Sequence, residues 1–263
     1  MPMLGKLPKI EDPRTFKLAR YLPARPALPA PPPSIDWSVA VPSWPMLMND
    51  QIGDCVVAAA LHSIQEWRAL AGSGFSPTNS DALKVYEAFG YVPGDPSTDN
   101  GIAMLPFLKY WRTHGIAGHK ITAFVEVDLN NPIEIKQAIA LFGNVFAGFA
   151  MPATAANQLG SRILRGYADE KLLWCVPGGL TGDAAPGSWG GHCVPILEYV
   201  AGARYPRGYK IVSWGSVYTA TEYFARCYLD EAYAMVSLDF IDNAGLSASG
   251  FNLAQLEADL KAL

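Results

Sequence analysis

Asn49-Asp50-Gln51-Ile52-Gly53-Asp54-Cys55 leads without a break into Val56-Val57-Ala58-Ala59-Ala60-Leu61. The first half is polar and turn-forming. The second opens a helix predicted over Cys55 to Leu70, with Val56, Ala60, Leu61, Ile64 and Trp67 on one broad face and Gly72 and Gly74 just past its end. Cys55 then falls in the first helical turn, where unpaired backbone N–H groups and the helix dipole favour a thiolate. A nucleophilic cysteine needs a base, and one stands far downstream. Gly190-Gly191-His192-Cys193-Val194 begins an apolar strand, and Val212-Ser213-Trp214-Gly215 follows about twenty residues later. His192 can complete an ion pair with Cys55.

Working outward, residues 1–36 differ from everything after them. They hold nine prolines, and six basic residues against three acidic. Such a segment cannot build a core and is expected to be extended, partly polyproline II. Two readings stand for it, a flexible leader and an arm that docks on an assembly partner. Residues 37–118 read as a helical lobe carrying Cys55, with further helices over Ser80 to Phe89 and Ile102 to His114, the last capped by Gly115. Residues 119–240 read as a β-rich lobe carrying His192. Its strands are expected over Lys120 to Val127, Val145 to Met151, His192 to Val200, Tyr209 to Trp214 and Ala232 to Leu238, with helices over Pro132 to Phe142 and Thr221 to Leu229. Residues 241–263 are a linker and an amphipathic helix with Leu253, Leu256, Leu260 and Leu263 on one face. Helices first and strands second predict an α+β, two-lobed protein with a cleft between the lobes.

Composition narrows the classes. Half of the residues are hydrophobic and 17% are charged, so a sizeable core is available. No apolar run reaches the roughly 18–20 residues of a membrane span. No continuous apolar region follows Lys6 and Lys9, so a secretory signal is not expected. The expected location is the cytoplasm, or a virion if the chain is phage-encoded. A net charge of −4 and the lack of a phosphate-cradling loop argue against nucleic acid. Cys55, Cys175, Cys193 and Cys227 have neither CxxC nor zinc-ligand spacing, so reduced thiols, no metal and no cofactor are expected.

Taken together, these motifs resemble the papain-like cysteine peptidase superfamily, over roughly residues 37–218, in a divergent bacterial or phage-type form. The resemblance implies Cys55 as nucleophile and His192 as base. It aligns Val212-Ser213-Trp214-Gly215 with the family's Asn-Ser-Trp-Gly segment, whose Trp covers the catalytic pair, here Trp214. Asn100 and Gly101 resemble the turn that binds substrate backbone, and Gly191 and Trp214 are expected to bind substrate with them. The departures are specific. Asn49 stands where the family has its oxyanion-hole glutamine, with Gln51 two residues late. Asp54 adjoins the thiol, either as helix cap or as a charge opposing the thiolate. Val212 stands where the histidine-orienting asparagine belongs, which implies a degraded site.

Three functions remain open on this reading. The first is peptide-bond hydrolysis by Cys55 and His192, with low or absent activity and a peptide or protein substrate. The second is a non-catalytic papain-fold component of a phage particle or similar assembly, docked through residues 1–36. The third is a transglutaminase- or acyltransferase-like enzyme using the same pair.

Overall fold

The computed structural model describes residues 2–21, 31–158, 173–176, 178–200 and 208–240. The leucine-faced helix expected at the C-terminal end lies outside them. In chain order the elements are α1 (Leu18–Tyr21), β1 (Ser34–Asp36), α2 (Cys55–Leu70), α3 (Asn79–Glu87), α4 (Met104–His114), β2 (Ile121–Glu126), α5 (Pro132–Phe142), β3 (Val145–Met151), α6 (Ala153–Asn157), β4 (Leu173–Trp174), β5 (Gly190–Val200), β6 (Gly208–Ser213), β7 (Ser216–Thr221), α7 (Glu222–Tyr228) and β8 (Leu229–Ser237). The eight strands form one sheet, ordered β2-β8-β3-β5-β6-β7-β4, with β1 added to the far end of β5. The fold is mixed α+β, as the sequence implied.

Alternation along the central strands divides the core. Phe146, Cys193, Tyr233 and Met235 face α2, α3 and α4, whereas Val145, Ala147, Val194 and Ala234 face α5 and α7. Helix α2 is buried on every side from Cys55 to Trp67, as expected of a helix apolar all round. Its small residues Ala58, Ala59 and Ala60 let it lie close to the sheet. Buried Glu66 is held by the Asn144 amide at 2.5 Å, and Asn144 in turn accepts from Ser63.

Local chemistry explains the helix ends. Thr78 caps α3 in a reciprocal capping box with Asp81. Asn131 caps α5, Pro132 occupies its first position, and Gly143 ends it at φ 85°. Strands β6 and β7 are joined by the two residues Trp214 and Gly215, both at positive φ (43° and 68°), as a primed hairpin turn requires.

The N-terminal arm departs most from expectation. The described part of residues 1–36 packs on the chain itself. Residues 3–7 lie along the chain's own groove, and residues 34–36 pair with β5. Further along the arm, Lys9 and Lys17 both pair with Glu126, and Lys109 with Asp12.

Candidate active site

Cys55 opens α2 with Asp54 at the cap position, although the Asp54 side chain makes no capping bond. The thiol is buried and accepts a hydrogen bond from the Cys193 N–H at 3.4 Å, so it rests against the His192–Cys193 peptide. The backbone of Gly5, from the arm, reaches the same sulfur. Burial pushes the thiol pKa up to about 12, outweighing these two contacts. Asp54 is itself buried, and loss of water holds its carboxyl well above the usual range, partly offset by the Asn49 amide. Its charge, where present, adds to the upward push on the neighbouring thiol.

His192 sits near the start of β5, opposite Phe149 of β3. Its Nε2 meets the Ser213 hydroxyl at 2.7 Å, while Nδ1 is buried and unpaired. Trp214 stacks on the imidazole with centroids 4.5 Å apart and planes 15° from parallel. Trp174 approaches the same ring edge-on at 6.3 Å. Burial pushes the imidazole down to about 3, so it is neutral. A tryptophan at positive φ costs on the order of 1–3 kcal/mol, so its surroundings must hold it there. Here the stack on His192 and a 3.1 Å bond from the indole N–H to the Met3 carbonyl do so.

With valine at 212, His192 needs another orienting group, and the Ser213 hydroxyl is the group at its Nε2. Val212 faces away, packed with Val41, Trp44 and Leu197. The next residue, Ser213, faces the histidine, because successive side chains on a strand alternate. Ser213 was legible as part of the motif, but its role was assigned one position too early.

The other expected site residues divide. Gly191 and Gly101 line the groove, and a Cβ on either would fall 2.1 Å from an arm carbonyl, Lys6 O and Gly5 O respectively. Asn49 is buried, but its amide donates to Ile52 O at 3.4 Å, within its own turn. Gln51 is exposed on that turn. Asn100 is exposed and donates to Ser97 O, so its neighbours Gly101 and Ile102 make the groove contacts.

Across this groove the arm forms a backbone ladder. Ile102 N–H donates to Gly5 O and Leu7 N–H to Ile102 O, a parallel pairing. The N–H groups of Gly5 and Lys6 donate to Gly191 O at 3.2 and 3.0 Å, and Met3 N–H to Asn49 O at 3.0 Å. Gly5 passes so close to Gly53 that a Cβ would sit 1.7 Å from the Gly53 carbonyl oxygen. The Lys6 side chain enters a pocket with Asp230 and Glu231, which sequence reading had not connected to the site. All four cysteines are free thiols, and among the described residues no cluster of His, Cys, Asp or Glu could hold a metal. No helix among them is long and apolar enough to cross a membrane.

The fold is that of the papain-like cysteine peptidases. Xylellain, a cysteine protease from Xylella fastidiosa, superposes with a TM-score of 0.63 at 17% identity, covering 90% of this chain and 97% of its own. Procathepsin B from Trypanosoma congolense gives 0.53 at 13% identity, with coverage of 89% and 86%. Procathepsin L 3 from Tenebrio molitor larval midgut gives 0.55 at 11%, with 89% and 76%. No protein-family model matches the sequence, and no curated protein matches it.

Proposed function

We propose that this chain is a cysteine hydrolase of peptide bonds, held at rest by its own N-terminal segment. Cys55 is the nucleophile and His192 the base, acting through Nδ1. Ser213 and Trp214 are positioning residues for the imidazole. The reading rests on one observation: His192 is clamped by Ser213 at one nitrogen and Trp214 on one face, while its other nitrogen is left unpaired in a buried site. A histidine that merely filled space would normally have both nitrogens satisfied. Xylellain's description as a cysteine protease supports the reaction class.

With the arm displaced, the thiol proton passes to Nδ1 and the sulfur attacks the substrate carbonyl carbon. The imidazolium then protonates the departing amine as the C–N bond breaks, and water hydrolyses the thioester. The Cys55 N–H, an unpaired donor of the first helical turn, faces the developing oxyanion. The Asn49 amide is engaged with Ile52 O, so the second oxyanion donor is weak. A missing donor costs on the order of 10²–10³ in rate. We therefore assign a slow hydrolase.

That same weakness favours a second reading, a binding module that holds peptides without cleaving them. Gly5→Ala separates the two, because its Cβ cannot fit against Gly53 and the arm must leave. Limiting iodoacetamide followed by mass spectrometry then ranks the thiols. The hydrolase reading expects Cys55 to become the fastest of the four and peptide turnover to appear. If Cys55 labels no faster than Cys175 or Cys227 once the arm is off, that reading fails.

A further inference from the structure

The arm carries a lysine to a place built to receive one. The Lys6 side chain is 1% exposed, and its Nζ lies 2.9 Å from Asp230 Oδ2 and 3.0 Å from Glu231 Oε1. Glu231 is fully buried, and its other oxygen accepts from the Tyr233 hydroxyl at 3.1 Å. The Leu7 carbonyl takes a further ammonium proton at 3.2 Å. Room for the aliphatic stem comes from Gly148 on β3, where a Cβ would fall 2.2 Å from Lys6 Cε. One ammonium faces two carboxylates, so the pocket is acidic even when filled. A fully buried carboxylate is costly without a cation beside it. The protein without Lys6 therefore has an unmet demand for positive charge, in a groove whose Ile102 and Gly191 backbone groups bind an extended chain.

We propose that the pocket formed by Gly148, Asp230, Glu231 and Tyr233 is a recognition site for a lysine side chain of a peptide bound in trans, and that Lys6 is its resident surrogate. This rests on the reading of the groove as a peptide-binding site and names its ligand class: extended segments carrying a basic residue. An acidic or apolar side chain at this position leaves Glu231 without a cation, and a residue with a Cβ at 148 closes the pocket to any long side chain.

The test uses the full chain with Lys6→Glu, whose arm is repelled by Asp230 and Glu231. Lys6→Met, of similar length and without charge, is the second variant. Hydrogen exchange of the Lys6 and Leu7 amides reports whether the arm has left, and exchange of β3 and β5 reports the fold. A fluorescent copy of residues 3–8 (Met-Leu-Gly-Lys-Leu-Pro) is titrated by polarisation against the same peptide with norleucine for lysine. The lysine peptide is expected to bind the Lys6→Glu chain at least tenfold more tightly than the norleucine peptide. Adding Glu231→Gln should erase that preference. Equal binding of the two peptides, no binding to a chain whose arm is displaced, or an arm that stays protected in both variants would each overturn the proposal. The readout needs no chemistry at Cys55. A chain that binds the lysine peptide and never cleaves it defeats the hydrolase reading and leaves this one standing.

Discussion

The substitution that best probes the site is Ser213→Ala, set against Val212→Asn. Ser213 supplies the only hydrogen bond to the His192 imidazole among the described residues, at 2.7 Å to Nε2, and Nδ1 already has none. Alanine leaves both ring nitrogens buried and unpaired. The structural cost is that of an unsatisfied buried group, about 1–3 kcal/mol. For a chain of this size that lowers Tm by roughly 2–4 °C per kcal/mol. The kinetic cost should be larger, because the ring loses the group that fixes its tautomer and angle. Loss of an orienting partner in a comparable triad reaches on the order of 10⁴ in rate. Val212→Asn restores the letter that the sequence motif lacks, yet position 212 faces Val41, Trp44 and Leu197. An amide there meets no partner and should cost about 1–3 kcal/mol with no gain in rate. Both substitutions belong in the Gly5→Ala background, with Cys55 alkylation rate, peptide turnover and thermal denaturation measured on each. If Val212→Asn accelerates turnover, or if Ser213→Ala matches its parent in rate, the assignment of the orienting role to Ser213 is wrong.

Three further outcomes are expected. Gly5→Ala should remove the exchange protection of the Gly5, Lys6 and Leu7 amides while β3 and β5 keep theirs; retained protection at Lys6 and Leu7 would mean that the close approach to Gly53 is not what seats the arm. The pH profile of Cys55 alkylation should shift with the arm: burial holds the thiol near 12 in the closed chain and His192 near 3, so displacement should lower the first inflection and raise the second. Identical profiles with and without Gly5→Ala would refute burial by the arm as the cause. Glu66 is raised to about 8 by burial. Its folded pKa lies above the unfolded value near 4.5, so its ionisation penalty grows from pH 4.5 to 8 and is absent below. Glu66→Gln should therefore gain stability relative to wild type as pH rises through that window, by on the order of 3–5 kcal/mol at pH 9; denaturant midpoints at pH 5 and 9 that differ equally between the two chains would contradict this.

Much of the scaffold could be read from periodicity and punctuation. The helix at Cys55 and the strand at Val145 to Met151 were legible because apolar spacing, Pro132 and the flanking glycines agree with one another. Strand β7 was missed because its turn is concealed: Trp214 is a residue that seldom takes positive φ, so Trp-Gly does not look like a hairpin. The same turn explains the misassigned role at 212. Matching letters to a motif gave Val212 the histidine, whereas the strand's alternation gives it to Ser213. Asp230 and Glu231 fell between the expected helix and strand, and only a lysine from the far end of the chain reveals why Glu231 is buried. The arm was expected to be extended and without a core, yet its Leu18 is fully buried in the main hydrophobic cluster. The groove contacts of residues 3–7 are largely backbone N–H and C=O groups, which leave no side-chain pattern, and the ion pairs of Lys9, Lys17 and Asp12 join residues far apart in sequence.

On the proposed reading, covering the site and switching it off are one event. The thiol and the imidazole are both pushed toward their neutral forms by the same cause, loss of water beneath residues 3–7. A dry site strengthens the interactions that stabilise an oxyanion, but it also opposes the thiolate–imidazolium pair that must form first. The arm resolves this in favour of rest, because its backbone satisfies Gly191 and Ile102 and keeps water from the pair. Its hold depends on Lys6, since the rest of the ladder is backbone that any extended peptide could supply. A peptide with a lysine suited to the Asp230–Glu231 pocket therefore competes for the same carboxylates that retain the arm. Displacing the arm readmits water to Cys55 and His192, which restores the ion pair at the moment a substrate arrives. Reactivity in the full chain should accordingly rise with the concentration of a lysine peptide and stay flat with its norleucine counterpart, measured as Cys55 alkylation with each peptide titrated. A flat response to both would separate arm binding from the ionisation of the pair.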